Sequence, residues 1–214
     1  MTPAEIIVEV RKLVQDTRVP YRYSDTDLLG YVNQTLKNMA IVRPDLFTEI
    51  VDIPTTPDVA VQSLPAEALR LVDIFQVKDG DAIVEVDRET MSRNYPGWMS
   101  ETSGTPVNFM RHVKNPDRFF LYPRPATGVV LVGEYARTPP DYGLSDEITL
   151  LTEAWFVTVL NGTVFLAESI DNEHANSGRA KMFQDLFVQQ LSTNLQSRKV
   201  TDTKDAGMEK GEVV

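Results

Sequence analysis

The chain has 214 residues, of which 42% are hydrophobic, and its 31 acidic and 21 basic side chains give a formal net charge of −10. That apolar content can bury a sizeable core, which excludes disorder throughout, and the acidic balance argues against a general binder of nucleic acid or anionic membranes. The absence of cysteine excludes thiol nucleophiles, disulfides and cysteine-ligated zinc, and it fits a protein used in a reducing cytosol.

The first residues and the hydropathy of the chain bear on its targeting. Met1–Glu5 has neither the basic region nor the long apolar run of a signal peptide. No stretch approaches the roughly 18 uninterrupted apolar residues of a transmembrane helix. We therefore expect a soluble, unsecreted protein.

Two amphipathic helices are predicted at the N-terminus. Residues 2–5 form a capping box with proline at the first helical position, and apolar residues then follow at helical spacing to about Gln15. Ser24, with Asp27 three residues later, is a second N-cap signal. The second helix is expected to end near Ile41.

The middle of the chain changes to short strand-like runs. Turn residues at 78–81 and at 126–128 separate neighbouring runs, which predicts hairpins within an antiparallel sheet. The predicted strands are residues 50–53, 68–77, 82–86, 107–111, 118–122 and 129–137.

The predicted strand Arg118–Tyr122 is aromatic and lies between prolines. Proline has no N–H to donate to a neighbouring strand, so Pro116, Pro123 and Pro125 limit this strand to about six residues. They also predict a position near the edge or end of the sheet.

The remaining elements are a short helix at 87–95, a long loop at 96–106 and two C-terminal helices. The apolar run 149–168 predicts a buried helix, although Gly162 within it costs about 1 kcal/mol relative to alanine. A final helix is expected over 172–196. Its apolar stripe consists of Ala180, Phe183, Leu186, Phe187, Leu191 and Leu195.

Together these elements predict an α+β fold, in which N- and C-terminal helices form a bundle with an inserted antiparallel β-domain. The expected parts are N-terminal helices at 1–46, a β-rich insertion at 47–140, C-terminal helices at 141–196 and an extended tail at 197–214. The tail lacks periodicity and its side-chain charges cancel, so we expect it to become ordered only against another chain.

The sequence predicts no catalytic, cofactor-binding or metal-binding residue. His112 and His174 are the two histidines, and neither has the spacing of a metal-ligand motif. Asp79 and Asp81 flank Gly80, which is typical of a turn and lacks the spaced ligands of an EF-hand. Glycine-rich phosphate loops, GxSxG elbows and dinucleotide fingerprints are absent.

Other hypotheses start from two arginines and a loop. Arg118 and Arg124 flank the aromatic strand, where they are able to bind phosphate or a partner carboxylate, but solvated surface arginines are the commoner case. The alternative function is a hydrolase or lyase with a carboxylate such as Glu101 in the 95–106 loop as general acid or base. A pocket with convergent titratable groups would support it. A third hypothesis is a chaperone or other monomeric binding module.

The chain resembles one known family in three features. These are the order of its elements, the segment Arg118-Phe119-Phe120-Leu121-Tyr122-Pro123-Arg124-Pro125, and Leu144-Ser145-Asp146-Glu147 before the last two helices. This family is the head-to-tail adaptor proteins of tailed phages, also called head completion or tail tubular A proteins. The resemblance spans roughly residues 2–195.

The resemblance implies a structural virion protein rather than an enzyme. It implies a twelve-subunit ring, assembled in the host cytoplasm between the portal and the tail nozzle or tail tube proteins, with a C-terminal extension along the portal. DNA would pass through this ring without sequence-specific binding, no membrane would be involved, and no catalytic residue or cofactor is implied. An acidic balance suits the wall of such a channel, because it repels the passing duplex.

Overall fold

A computed structural model describes residues 1–169 and 178–192 and shows an α+β fold with the predicted order of helices, strands and helices. Its contacts divide the chain into a helical unit, Met1–Arg43 with Pro139–Val214, and a β-unit, Pro44–Thr138. The predicted tail and both ends of the predicted final helix lie outside the described residues.

The helices are α1 (Pro3–Leu13), α2 (Asp25–Val42), α3 (Arg88–Asn94), α4 (Phe156–Glu168) and α5 (178–192). The strands are β1 (Thr48–Pro54), β2 (Val61–Ser63), β3 (Ala68–Val77), β4 (Val84–Glu85), β5 (Asn108–Arg111), β6 (Arg118–Tyr122) and β7 (Val130–Arg137).

The predicted caps of α1 and α2 are confirmed. Thr2 Oγ1 accepts the N–H of Glu5 at 3.3 Å, and Glu5 Oε2 accepts the N–H of Thr2 at 2.7 Å. Ser24 Oγ accepts the N–H of Asp27 at 3.0 Å, which satisfies an otherwise unpaired donor in the first turn of α2. The buried faces of these helices consist of Ile6, Ile7, Val10, Leu28, Val32, Leu36 and Met39.

The C-terminal helices differ from the prediction in extent. Helix α4 begins at Phe156 rather than near residue 149, because Thr152 has an extended backbone and a single 3₁₀ turn, Glu153–Trp155, precedes the helix. In α5 the predicted stripe is buried except at Leu186, which is 38% exposed, and Leu195 lies outside the described residues. The buried members are Ala180, Phe183, Phe187 and Leu191.

Gly162 allows α4 to approach its neighbours closely. A Cβ at this position would lie 2.5 Å from Cγ2 of Thr35 in α2 and 2.9 Å from Cε2 of Phe187 in α5. Both distances are well below van der Waals contact. Close packing between α2, α4 and α5 therefore explains why a glycine stands at position 162, although glycine lowers helix propensity.

A buried ion-pair network fixes the connection between α1 and α2. Arg11 donates to Oδ2 of Asp16 and to Oδ1 of Asp25, each at 2.6 Å, and to the carbonyl of Tyr23 at 3.0 Å. Asp16 also accepts the backbone N–H groups of Arg22 at 2.7 Å and of Tyr23 at 3.1 Å. The loop has no helix or strand partner for these backbone N–H and C=O groups, and the network supplies their hydrogen bonds instead.

The β-unit contains two sheets rather than one. A three-stranded sheet has the order β1-β7-β3, and a four-stranded sheet has the order β2-β6-β5-β4. One core cluster draws side chains from strands of both sheets, and a second lies against the other face of the four-stranded sheet. The first consists of Ile53, Leu64, Leu71, Ile74, Ile83, Phe109, Phe119, Leu121, Leu131 and Tyr135, and the second of Ala60, Met91, Trp98, Met110 and Phe120.

The predicted edge position of the strand Arg118–Tyr122 is wrong. Strand β6 lies between β2 and β5 and pairs with both. Phe119 and Leu121 enter the first core cluster, while Phe120 enters the second. A strand buried on both faces has a continuous apolar run. Its prolines are accommodated because they lie outside the residues that pair β6 with β2 and β5.

Three other strand predictions also need correction. The residues at 126–128 do not form a hairpin, because β6 and β7 belong to different sheets. The sheets are not wholly antiparallel, since β4 pairs with β5 in parallel. Strand β2, which has three residues, was missed because so short a run has no measurable period.

We expect Gly162→Ala to lower the free energy of unfolding by about 1–3 kcal/mol, because the added methyl overpacks the contact with Thr35 and Phe187. This loss exceeds the gain of about 1 kcal/mol in helix propensity. Urea denaturation followed by circular dichroism measures the change.

Gly30→Ala is the matched control, since Gly30 lies in α2 and a Cβ there would have no neighbour within 4 Å. It should keep or raise stability. Thr35→Ser, which lacks the Cγ2 methyl, should recover part of the loss in the Gly162→Ala background. Equal stability of Gly162→Ala and Gly30→Ala would contradict the close-packing explanation.

We expect Asp16→Asn to lower the free energy of unfolding by about 1–3 kcal/mol, because the buried Arg11 guanidinium loses the buried one of its two carboxylate partners and keeps only that of Asp25. Lys12→Gln is the control, since it removes only the exposed Lys12–Glu9 pair and should change stability by less than about 1 kcal/mol. Similar urea midpoints for the two variants would show that the buried network contributes little.

Candidate functional site

A cavity in the β-unit is lined by three arginines. It lies where the start of β3 meets the turn between β5 and β6, with the N–H of Leu71 donating to the carbonyl of Pro116 at 2.9 Å. Its volume is about 440 Å³. We call it the arginine pocket, and its lining consists of Arg70, Leu71, Val72, Arg111, His112, Pro116 and Arg118.

The three arginines differ in how they are held. Arg111 donates to both carboxylate oxygens of Glu85, at 2.7 and 3.2 Å, and also to the carbonyls of Leu71 and Val72. Arg70 and Arg118 are exposed, and their side chains make no hydrogen bond or ion pair with any other described residue. The pocket therefore has one fixed guanidinium and two that are available to a ligand.

His112 has a structural role in the turn beside the pocket. Its ring stacks on Phe120 with centroids 5.5 Å apart, and its Nδ1 accepts the N–H groups of Lys114 at 3.2 Å and Asn115 at 3.1 Å. His112 also lines a second cavity of about 250 Å³, together with Arg88, Val113, Lys114 and Phe120. His174, the other histidine, lies outside the described residues.

The loop proposed for a hydrolase or lyase surrounds a cavity of about 390 Å³. Glu101 is the one carboxylate among its described lining residues. Its Oε2 accepts the hydroxyl of Tyr122 at 2.7 Å, and this hydrogen bond raises the pKa of Tyr122. The structure thus places Glu101 in a cavity, and no other described residue brings a second carboxylate there to complete an acid–base pair.

Arg124, the second arginine singled out from the sequence, binds backbone of its own unit. It donates from Nε to the carbonyl of Glu101 at 2.8 Å and from Nη1 to the carbonyl of Asp58 at 3.2 Å. It holds two loops together, whereas Arg118 lines the arginine pocket.

Residues 78–81 form the predicted turn after β3. Asp79 has a left-handed backbone with φ of 58°, and the N–H of Val77 donates to the carbonyl of Asp81 at 3.0 Å. Lys78 pairs with Asp52 at 2.5 Å, which raises the pKa of Lys78. Asp79 and Asp81 are exposed and make no side-chain hydrogen bond or ion pair with other described residues. We call this segment, Asp79–Asp81, the acidic turn.

The described residues contain neither a metal-ligand cluster nor a membrane-spanning helix. Within residues 1–169 and 178–192, no three His, Cys, Asp or Glu side chains are grouped so that they could hold a metal ion. No helix in the same residues is both long enough and apolar enough to span a membrane.

Sequence reasoning missed Arg70 and Arg111 as pocket residues. They lie on β3 and β5, which belong to different sheets, and no local motif marks either one. Only the packing of the start of β3 beside the turn after β5 brings them together with Arg118. Arg118 is the one of the three that a local pattern marks, because it begins the aromatic strand.

The comparisons with known proteins concern nearly the whole chain. A family model described as SU10 adaptor protein matches residues 1–208, and no curated protein matches the chain. This is a family of phage head-to-tail adaptors, which confirms the resemblance found in the sequence. It gives the chain a structural role as a virion component that associates with other phage head and tail proteins. The chain belongs to the SU10 adaptor protein family.

Proposed function

We propose that this protein is a subunit of a twelve-membered ring that joins the portal to the tail nozzle or tail tube proteins and continues the DNA channel, with no catalytic role. The observation that carries the proposal is the family match over residues 1–208. The match includes the helical unit as far as the structure describes it and the entire β-unit.

A ring subunit must bury two different faces against its neighbours, and stable interfaces bury about 1,200–2,000 Å² in total. The helical unit exposes apolar side chains that such burial would cover. At the end of α2, Ile41 and Val42 are 71% and 57% exposed. Other exposed apolar residues of this unit include Val8, Val19, Val157, Met182 and Val188.

The net charge of −10 supports the channel part of the proposal. A surface rich in carboxylates repels the phosphates of DNA. A duplex would therefore not adhere to the channel wall as it leaves. We propose that acidic side chains line the lumen of the ring. A ring with a basic lumen would contradict this.

Native mass spectrometry of the protein, alone and mixed with the portal of the same phage, tests the ring. We expect a complex that contains about twelve copies of the 24.1 kDa subunit, either free or on the portal. A subunit that stays monomeric in both samples would overturn the proposal. An assembled ring should also fail to retain duplex DNA at low salt, where phosphate attraction is strongest.

We expect truncation after Gln196 to abolish attachment to the portal while leaving the fold intact, because the tail is proposed to order only against another chain. Co-sedimentation with the portal measures attachment, and circular dichroism with urea denaturation checks the fold. A truncated protein that binds the portal as well as the full chain would contradict the role of the tail.

A further inference from the structure

Five of the nine Lys and Arg side chains of the β-unit line two adjoining cavities. The arginine pocket and the second cavity meet at His112, which lines both. No carboxylate lines either cavity among the described residues, although the chain as a whole has ten more acidic than basic side chains. The basic lining side chains are Arg70, Arg88, Arg111, Lys114 and Arg118.

Most of this positive charge is uncompensated. Glu85 neutralises Arg111, but the side chains of Arg70, Arg88, Lys114 and Arg118 make no hydrogen bond or ion pair with any other described residue. Like charges held close together repel one another, so an anion in the pocket would relieve the repulsion and gain charge-assisted hydrogen bonds.

The geometry of the pocket favours a carboxylate. A guanidinium presents parallel N–H groups that match the two oxygens of a carboxylate, and Arg70 and Arg118 have these groups unoccupied. The concave site admits an acidic side chain from a protruding turn. Duplex phosphates are the less favoured ligand, because the overall charge of −10 opposes the approach of DNA.

The acidic turn supplies such side chains at the opposite end of the same strand. Arg70 lies near the start of β3 and Asp79 follows its end, so at about 3.3 Å per residue they are roughly 25–30 Å apart. The acidic turn therefore cannot reach the pocket of its own chain. It has two free carboxylates, since Lys78 is already paired with Asp52.

We propose that the acidic turn of one copy docks in the arginine pocket of the next copy. The contact joins unlike surfaces, so it is heterologous, and it generates a closed ring when the rotation between copies closes. The proposal rests on the proposed function and deepens it, because it names the side chains that set the head-to-tail register between ring neighbours.

Charge reversal tests the contact. We expect Arg70→Glu with Arg118→Glu to weaken ring formation at least about ten-fold, and Asp79→Asn with Asp81→Lys to do the same. Asparagine is used at Asp79 because it tolerates the left-handed backbone there. When the two double variants are mixed, assembly should be restored wherever the reversed pocket of one variant meets the reversed turn of the other. A single chain that carries all four changes should also form the ring.

Arg93→Glu with Lys181→Glu is the matched control, since both side chains are exposed and neither lines either cavity. It makes the same change in total charge as the pocket variant and should leave ring formation unchanged. Circular dichroism shows that each variant is folded. Native mass spectrometry over a dilution series gives the apparent dissociation constant.

Cross-linking tests the same contact without requiring a complete ring. The chain has no cysteine, so Val113→Cys beside the pocket and Ala82→Cys after the acidic turn introduce single thiols. Val113 is 89% exposed, and Ala82 is also exposed. We expect a short bismaleimide to join the two variants when they are mixed, and to join neither variant to itself.

The outcomes separate this inference from the ring itself. A wild-type ring that is indifferent to the charge reversals and gives no mixed cross-link would overturn the contact and leave the ring standing. A mixed cross-link without a complete ring would support the contact and count against the ring. If the pocket reversal spares the ring but abolishes binding of a duplex DNA or of the portal, the occupant is a phosphate or another protein, and the proposal fails.

Discussion

The close approach of α2, α4 and α5 is the constraint on which the helical unit depends. This unit is assembled from both sides of the β-unit in the sequence, so helices from distant parts of the chain must recognise one another. Gly162 removes the side chain that would keep α4 away from Thr35 and Phe187. The fit has a cost, because the buried Thr35 hydroxyl has no hydrogen-bond partner among the described residues, and such a group costs about 1–3 kcal/mol. Dispersion and apolar burial offset this cost.

In the β-unit, burial of the four-stranded sheet on both faces is the constraint that positions the other elements. Because Phe119 and Phe120 point into different cores, β6 is held firmly and the turn that precedes it has a defined position. His112 then stacks on Phe120 and accepts the N–H groups of that turn. The arginine pocket is therefore formed by rigid elements and a well-bonded turn, which suits the proposed contact between copies because little order is lost on binding.

The charge distribution connects the fold to an adaptor role. A chain with a net charge of −10 places four unpaired basic side chains around two adjoining cavities and exposes unpaired carboxylates at the other end of β3. A basic surface and an acidic surface at separate places on one protein allow it to bind partners of opposite charge. This suits an adaptor, which associates with other phage head and tail proteins. In the 95–106 loop, Glu101 accepts a hydrogen bond from Tyr122, and the described residues that line its cavity include no second carboxylate.

The sequence by itself determined the fold class, the helix caps at Thr2 and Ser24, the turn at 78–81 and the family, because these depend on local hydrogen bonding and on the order of elements. It misjudged β6 as an edge strand, since prolines mark where a strand ends but not what lies on either side of it. Only the tertiary structure decided that Gly162 serves helix packing and that Arg70, Arg111 and Arg118 share a pocket. The physical reason is that both features arise from contacts between residues far apart in the chain, which no local period or motif records.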